Sequence, residues 1–148
     1  MQNNLLIKCF FKLICFFILV FVLVFIDQFL SYGIRLGGGF YLCNSGISFG
    51  LLVPSVVFWL VLAIFFLLFL FFIYKKGSFS YLFTLGLALF ISGALSNIAD
   101  RFLLGCVVDY IMLFKNIFPI FNLADVEIFL GSCFVFLSLL PKTFFKSE

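Results

Sequence analysis

The sequence predicts an all-α polytopic membrane protein. Four transmembrane helices form a single membrane domain over residues 1–148, with a small β-sheet on the extracytoplasmic face. Three observations predict it. Apolar residues make up 66% of the chain and charged residues only 10%, and the mean hydropathy is +1.38, a composition foreign to soluble domains. Four apolar runs, roughly 9–28, 51–74, 79–98 and 123–141, approach the ~20 helical residues that cross a hydrocarbon core of about 30 Å. The basic residues also divide unevenly between the ends of those runs.

The first run follows Lys8 and Lys12 and resembles a signal peptide. Phe29-Leu30-Ser31 offers no small-residue cleavage site, and no lipobox precedes Cys9 or Cys15, so an uncleaved anchor is expected. The second and third runs carry no charge. The fourth has Asp125 and Glu127 near its start and Lys142 just after its end, as a span with interfacial ends should. If four spans alternate, Lys8, Lys12, Lys75, Lys76, Lys142 and Lys146 share one side, and Arg35, Arg101 and Lys115 the other. The richer side is cytoplasmic. Both termini are then inside, and the outer loops, 28–50 and 99–122, face out, which in a bacterium means the extracytoplasmic face of the inner membrane. Gly37-Gly38-Gly39 before Phe40-Tyr41-Leu42-Cys43 reads as a turn feeding a strand. Cys106 to Leu113 is a second strand candidate that would put Val107, Asp109 and Ile111 on one face.

Composition also excludes functions. A net charge of +3 is too small for a nucleic-acid partner. Five cysteines without metal spacing, and no histidine, imply no metal and no cofactor. They also leave no Ser-His or Cys-His nucleophile. Cys43 and Cys106 fall in the two outer loops, but small buried thiols are expected rather than a disulfide. The 27 phenylalanines are read as lipid-facing.

What chemistry remains lies between Gly93 and Asp125, where ionisable groups stand at the edge of hydrocarbon. Gly93, Asn97 and Arg101 recur every four residues and share a helix face. Gly93 permits close helix approach, with Ser92 and Ser96 as further small positions. Asn122 followed by Asp125 reads as an N-cap with an acid at the third helical position. Asp109, on a strand at the same depth, completes a pair of carboxyls that share a proton. One can activate water while the other polarises a scissile carbonyl. A small proton-coupled transporter is the alternative, but it would want its carboxylates at mid-membrane. A non-catalytic assembly factor would not need the pair.

The blocks Asp27-Gln28, Asn44-Ser45-Gly46-Ile47-Ser48-Phe49-Gly50, Gly93-Ala94-Leu95-x-Asn97-x-x-Asp100-Arg101, Val107-Val108-Asp109 and Phe118-Pro119-x-Phe121-Asn122-x-Ala124-Asp125 together resemble lipoprotein signal peptidase, or signal peptidase II. They match in identity, order and spacing along all four runs and both outer loops. The resemblance implies an intramembrane aspartic endopeptidase. Its substrates would be prolipoproteins carrying a diacylglyceryl-cysteine, cut just before that cysteine among the membrane lipids. It also implies inhibition by globomycin-type cyclic peptides. By that similarity Asp109 and Asp125 are catalytic. Asn44, Gly46, Gly93, Asn97, Arg101 and Asn122 support the site, and Asp27 ends the first helix.

Three positions depart from the family pattern: Ser31 stands for a lysine, Ser96 for a glycine, and Val126 for a small polar residue. Ser31 leaves Asp27 without a cation one turn away, and Arg35 is expected to pair with Asp27 instead. Asp100, aimed about 100° around the helix from Arg101, is expected to matter much less than the pair.

Overall fold

The computed structural model describes residues 2–46, 80–114 and 117–140, with side chains from residue 10 onward. Its elements run α1 (Gln2–Leu36), β1 (Leu42–Asn44), α2 (Tyr81–Leu104), β2 (Val107–Asp109) and α3 (Leu123–Leu139). The second apolar run, the Lys75-Lys76 turn, Lys115, Lys142 and Lys146 lie outside the described residues, as does the stretch 47–50 of the second block.

Helix α1 continues eight residues beyond its expected end at 28. Nothing from Phe29 to Leu36 breaks it, so it stops only at the glycine triplet. There Gly38 adopts φ 70°, and the Gly39 N–H donates to the Ile34 carbonyl at 3.0 Å. That is a Schellman closure, in which glycine takes the left-handed position. Helix α2 likewise outruns its expected end at 98. Ser80 caps its start, accepting from the Phe83 N–H at 3.2 Å. Gly105, at φ 77°, closes it. Arg35 and Arg101 are therefore helical rather than loop residues. Helix α3 begins as expected, with Asn122 and Asp125 forming a reciprocal capping box. Within the described residues, α1 from Phe10 and the whole of α2 are long and apolar enough to cross a membrane.

The two strands pair antiparallel, with Leu42 opposite Asp109, Cys43 opposite Val108 and Asn44 opposite Val107. A bridge from Ile111 to Phe121 extends the pairing toward α3. The expected alternation does not expose one face of β2, because Val107, Val108 and Asp109 are all buried. The expectation of two free thiols is overturned: Cys43 and Cys106 form a disulfide with Cα atoms 5.4 Å apart. Strand pairing explains why. It brings residues 63 positions apart in sequence to the separation that a disulfide spans, roughly 4.4–6.8 Å.

Helices α2 and α3 pack antiparallel through their smallest residues. A Cβ on Gly86 would meet the Gly131 carbonyl at 2.8 Å, and one on Gly93 would collide with the Ala124 carbonyl. Helices α1 and α2 run parallel. Lys12 lies over the Tyr81 ring at 5.1 Å near one end, and Gln28 reaches Ser96 and Asp100 near the other. Phe17, Phe21, Phe25 and Phe29 on α1 and Phe129 and Phe136 on α3 are exposed. Such faces suit hydrocarbon rather than water.

Candidate active site

The acids, amides and arginine named as site candidates, Asp27, Asn44, Asn97, Arg101, Asp109, Asn122 and Asp125, converge on one end of this bundle. Asn122 is the hub. Its Nδ2 donates to Asp109 Oδ1 at 3.2 Å and to Asn97 Oδ1 at 2.9 Å. Its Oδ1 accepts the Asp125 N–H at 2.8 Å, and its own N–H donates to Asp125 Oδ2 at 3.3 Å. Asn97 completes the ring by donating to Asp125 Oδ1 at 3.0 Å. On the far side, Asn44 Nδ2 donates to Asp109 Oδ2 at 2.9 Å. Each of the four carboxylate oxygens thus receives at least one N–H, and both carboxylates are fixed in orientation.

The two aspartates differ in surroundings. Asp109 is 3% exposed, whereas Asp125 is half-buried. Burial is the main influence on Asp109 and pushes its carboxyl up to about 6. The Asn44 hydrogen bond opposes this, the neighbouring Asp125 adds to it, and the Arg101 guanidinium opposes it again. Tyr110, next on the strand, is raised to about 12, chiefly by burial. Its hydroxyl oxygen accepts from the Leu123 N–H at 3.4 Å, a neutral prop under the start of α3.

Arg101 is the cation beside the pair. Its Nη2 donates to the Gly46 carbonyl at 2.9 Å and its Nη1 to the Asn97 carbonyl at 3.1 Å. The Gly46 N–H in turn donates to Asn44 Oδ1 at 2.9 Å. Residues 44–46 therefore form a short wall, gripped by Arg101 at one end and touching Asp109 at the other. Gly93 serves the site through the backbone: having no side chain, it lets Ala124, and with it the first turn of α3, close onto α2.

A carboxylate pair at one end of apolar helices, one member buried and both clamped by asparagine amides, is an arrangement that comparison with known proteins can place. The family model described as signal peptidase (SPase) II matches residues 19–141. The chain belongs to the signal peptidase II family. Lipoprotein signal peptidases of Staphylococcus aureus strains JH9 and Newman are each 34% identical over 108 residues, covering 71% of this chain and 66% of theirs. The match thus spans slightly under two thirds of those relatives' length. A solved bacterial membrane enzyme superposes with TM-score 0.73 at 27% identity, over 90% of this chain and 92% of its own. A second gives 0.68 at 28% identity, over 85% and 92%.

In this signal peptidase II chain, Asn44, Gly46, Gly93, Asn97, Arg101, Asp109, Asn122 and Asp125 all lie in the cluster, and Asp27 lies beside it. Asp27 is 5% exposed. Its carboxylate is hydrogen-bonded by the Ser96 side chain and by the Ala124 backbone N–H. It therefore ties α1 to both α2 and α3. The expected pairing with Arg35 does not form. Arg35 is two helical turns further along α1, with its guanidinium over the Tyr32 ring at 5.7 Å and its buried Nε without a hydrogen-bond partner. Ser31 is buried, and its hydroxyl also lacks a partner.

Two positioning residues escaped the sequence reading. Asp100, expected to matter much less than the pair, is nonetheless buried. Its Oδ2 accepts the Val108 N–H at 3.1 Å and its Oδ1 accepts from Gln28 Nε2 at 3.0 Å. It thereby holds β2 one residue from Asp109, and Gln28 locks it to α1. The signal was present: Asp100 and Gln28 both belong to the matching blocks. Their partners lie across the bundle, however, and no spacing rule within one helix reveals them.

Proposed function

We propose that this protein is an aspartic endopeptidase that cleaves the signal peptide from diacylglyceryl-modified prolipoproteins, immediately before the lipidated cysteine. The observation that carries the reading is the pair Asp109 and Asp125, bridged by Asn122 and flanked by Asn44 and Asn97. Asp109, the desolvated member, holds the pair's proton and polarises the scissile carbonyl. Asp125, the more open member, draws the proton from the attacking water. Asn44, Asn97 and Asn122 hold both groups in line, so little reorganisation is needed as charge develops. When the intermediate collapses, the proton taken from water passes to the leaving amine, and the pair returns to its starting state.

The arrangement suits a substrate that is itself lipid-soluble. A signal-peptide helix and its diacylglyceryl chains can approach sideways through the bilayer, and the bond to be cut then lies at the interface. We infer a single membrane domain of four spans with both termini cytoplasmic and the site extracytoplasmic. The parallel course of α1 and α2 supports it. Gly46 lies at the Arg101 end of α2 and Ser80 at the other, and the four-span reading has the chain return along the helix between them. A span over 51–74 would provide that return. The Cys43–Cys106 disulfide at the site end supports an oxidising, extracytoplasmic location.

The test is to incubate purified protein with a prolipoprotein in diacylglyceryl-modified and unmodified forms. Mature lipoprotein and free signal peptide should appear from the modified form only, and a globomycin-type cyclic peptide should block their release. Equal processing of both forms, or of neither, overturns the reading.

A further inference from the structure

The disulfide lies outside the ring of amides, but it bears on that ring through the two strands. The ribbon has only three residue pairs, and two-stranded ribbons this small are marginal by themselves. Its strands are far apart in the chain, so pairing them also costs loop-closure entropy. Yet Asn44, the last residue of β1, must keep its amide 2.9 Å from Asp109 Oδ2, at the end of β2. The bond joins the residue just before Asn44 to the residue between the Gly105 turn and β2. Cys106 is buried and Cys43 is exposed, so the bond ties the exposed strand β1 to the buried chain that leads into β2.

We propose that the Cys43–Cys106 disulfide is a positioning element of the catalytic centre: it holds the wall of residues 44–46 against β2, so that Asn44 stays on Asp109 and turnover depends on the bond being oxidised. The inference rests on the dyad reading above. Among the described residues, the groups facing Asp109 are Asn44 from β1, Asn122 and Asp125 from the start of α3, and Arg101 and Asp100 from α2. Of these, only Asn44 is carried by the stapled strand. Arg101 grips the wall at Gly46 and keeps the chain nearby when the bond is open. The expected result is therefore a loosened site rather than a collapsed one. Reduction by a dithiol takes two electrons and two protons into the cystine, giving two thiols, while the reagent leaves as its own disulfide.

The experiment compares oxidised enzyme, enzyme reduced with dithiothreitol and C43S/C106S, all full-length in detergent, on diacylglyceryl-modified prolipoprotein. Reduced enzyme and the double variant should lose about 10- to 100-fold in kcat, the scale of an ångström-sized misplacement, with KM within about twofold. The pH limb belonging to Asp109 should move up by about one pH unit, the worth of one hydrogen bond to an anion. Reoxidation should restore the reduced enzyme, and dithiothreitol should leave the double variant unchanged. Asn44→Ala should cost much less in the C43S/C106S background than alone, since the two changes act on one contact. Unchanged kcat overturns the proposal. So does a loss in thermal stability with an unmoved pH limb, which would make the bond structural only. Asp109→Asn serves as the control: its turnover would overturn the dyad and this proposal together, whereas an inactive Asp109→Asn beside an unaffected C43S/C106S overturns the staple alone.

Discussion

Asp125 sits in the first turn of α3, three residues after the cap that orients it, and its backbone N–H and both carboxylate oxygens are satisfied by Asn122 and Asn97. Asp109 ends a strand of three residues, and one of its oxygens depends on Asn44, 65 positions earlier. The first is held mostly by local geometry, which forms wherever α3 forms. The second is held by pieces of α2, β1 and α3 that meet only in the finished fold. The difference also sets their chemistry. The locally capped carboxylate stays half-open to water, and the one assembled from distant parts is buried, which is what raises its proton affinity.

Replacing either carboxylate should have the largest effect. Asp109→Asn and Asp125→Asn keep shape but cannot exchange the proton, and each should lower cleavage by about 10²- to 10⁴-fold while the protein remains folded and inserted. A cleavage assay on lipidated substrate that finds either near the wild-type rate breaks the pair. Asp100→Asn comes next and probes the distant support alone. Its amide would present N–H to either Val108 or Gln28, leaving a buried donor unsatisfied at a cost of ~1–3 kcal/mol. Thermal stability should fall, and cleavage should fall by about tenfold, the factor that 1.4 kcal/mol of misplacement represents. Cleavage indistinguishable from wild type would show that β2 needs no anchor in α2.

Gly93→Ala probes the other side of the comparison. The added Cβ collides with the Ala124 carbonyl, so overpacking should cost ~1–3 kcal/mol and tilt the capped turn that bears Asp125. A thermal midpoint equal to wild type would mean that α3 can shift without loss. Arg35→Ala should do least, within about 0.5 kcal/mol and with unchanged cleavage, because Arg35 does not reach Asp27. A loss of activity there would reinstate an ion pair that the geometry lacks.

The same contrast explains what could be read from the chain alone. Asn122 and Asp125 were legible because a cap is written in four consecutive residues. Gly93, Asn97 and Arg101 were legible because a helix repeats its face every four. Helix ends were missed where expectation followed the hydrocarbon thickness. Phe29–Leu36 and Ala99–Leu104 remain helical until a glycine allows closure. The disulfide, and the roles of Asp100 and Gln28, depend on strand register and helix docking, which no local pattern carries. Ser96 belongs with these: read as a departure from a glycine, it turns out to supply a hydroxyl to Asp27, whose expected cationic partner is absent.

Asp109 is proposed as the desolvated member of the pair, the one that holds its proton. The most direct measurement is the pH dependence of the thermal midpoint for wild type minus Asp109→Asn between pH 3 and 8, roughly the range that brackets ordinary and raised carboxyls. The folded-state value, about 6, lies above the ordinary 3.8, so between them the folded protein binds the proton that the unfolded chain has released. Stability then falls as pH rises through that window. Wild type should accordingly lose stability relative to Asp109→Asn as pH climbs from about 4 to about 6 and stay level above it. A difference that is flat across this window, or that favours wild type as pH rises, would contradict the account.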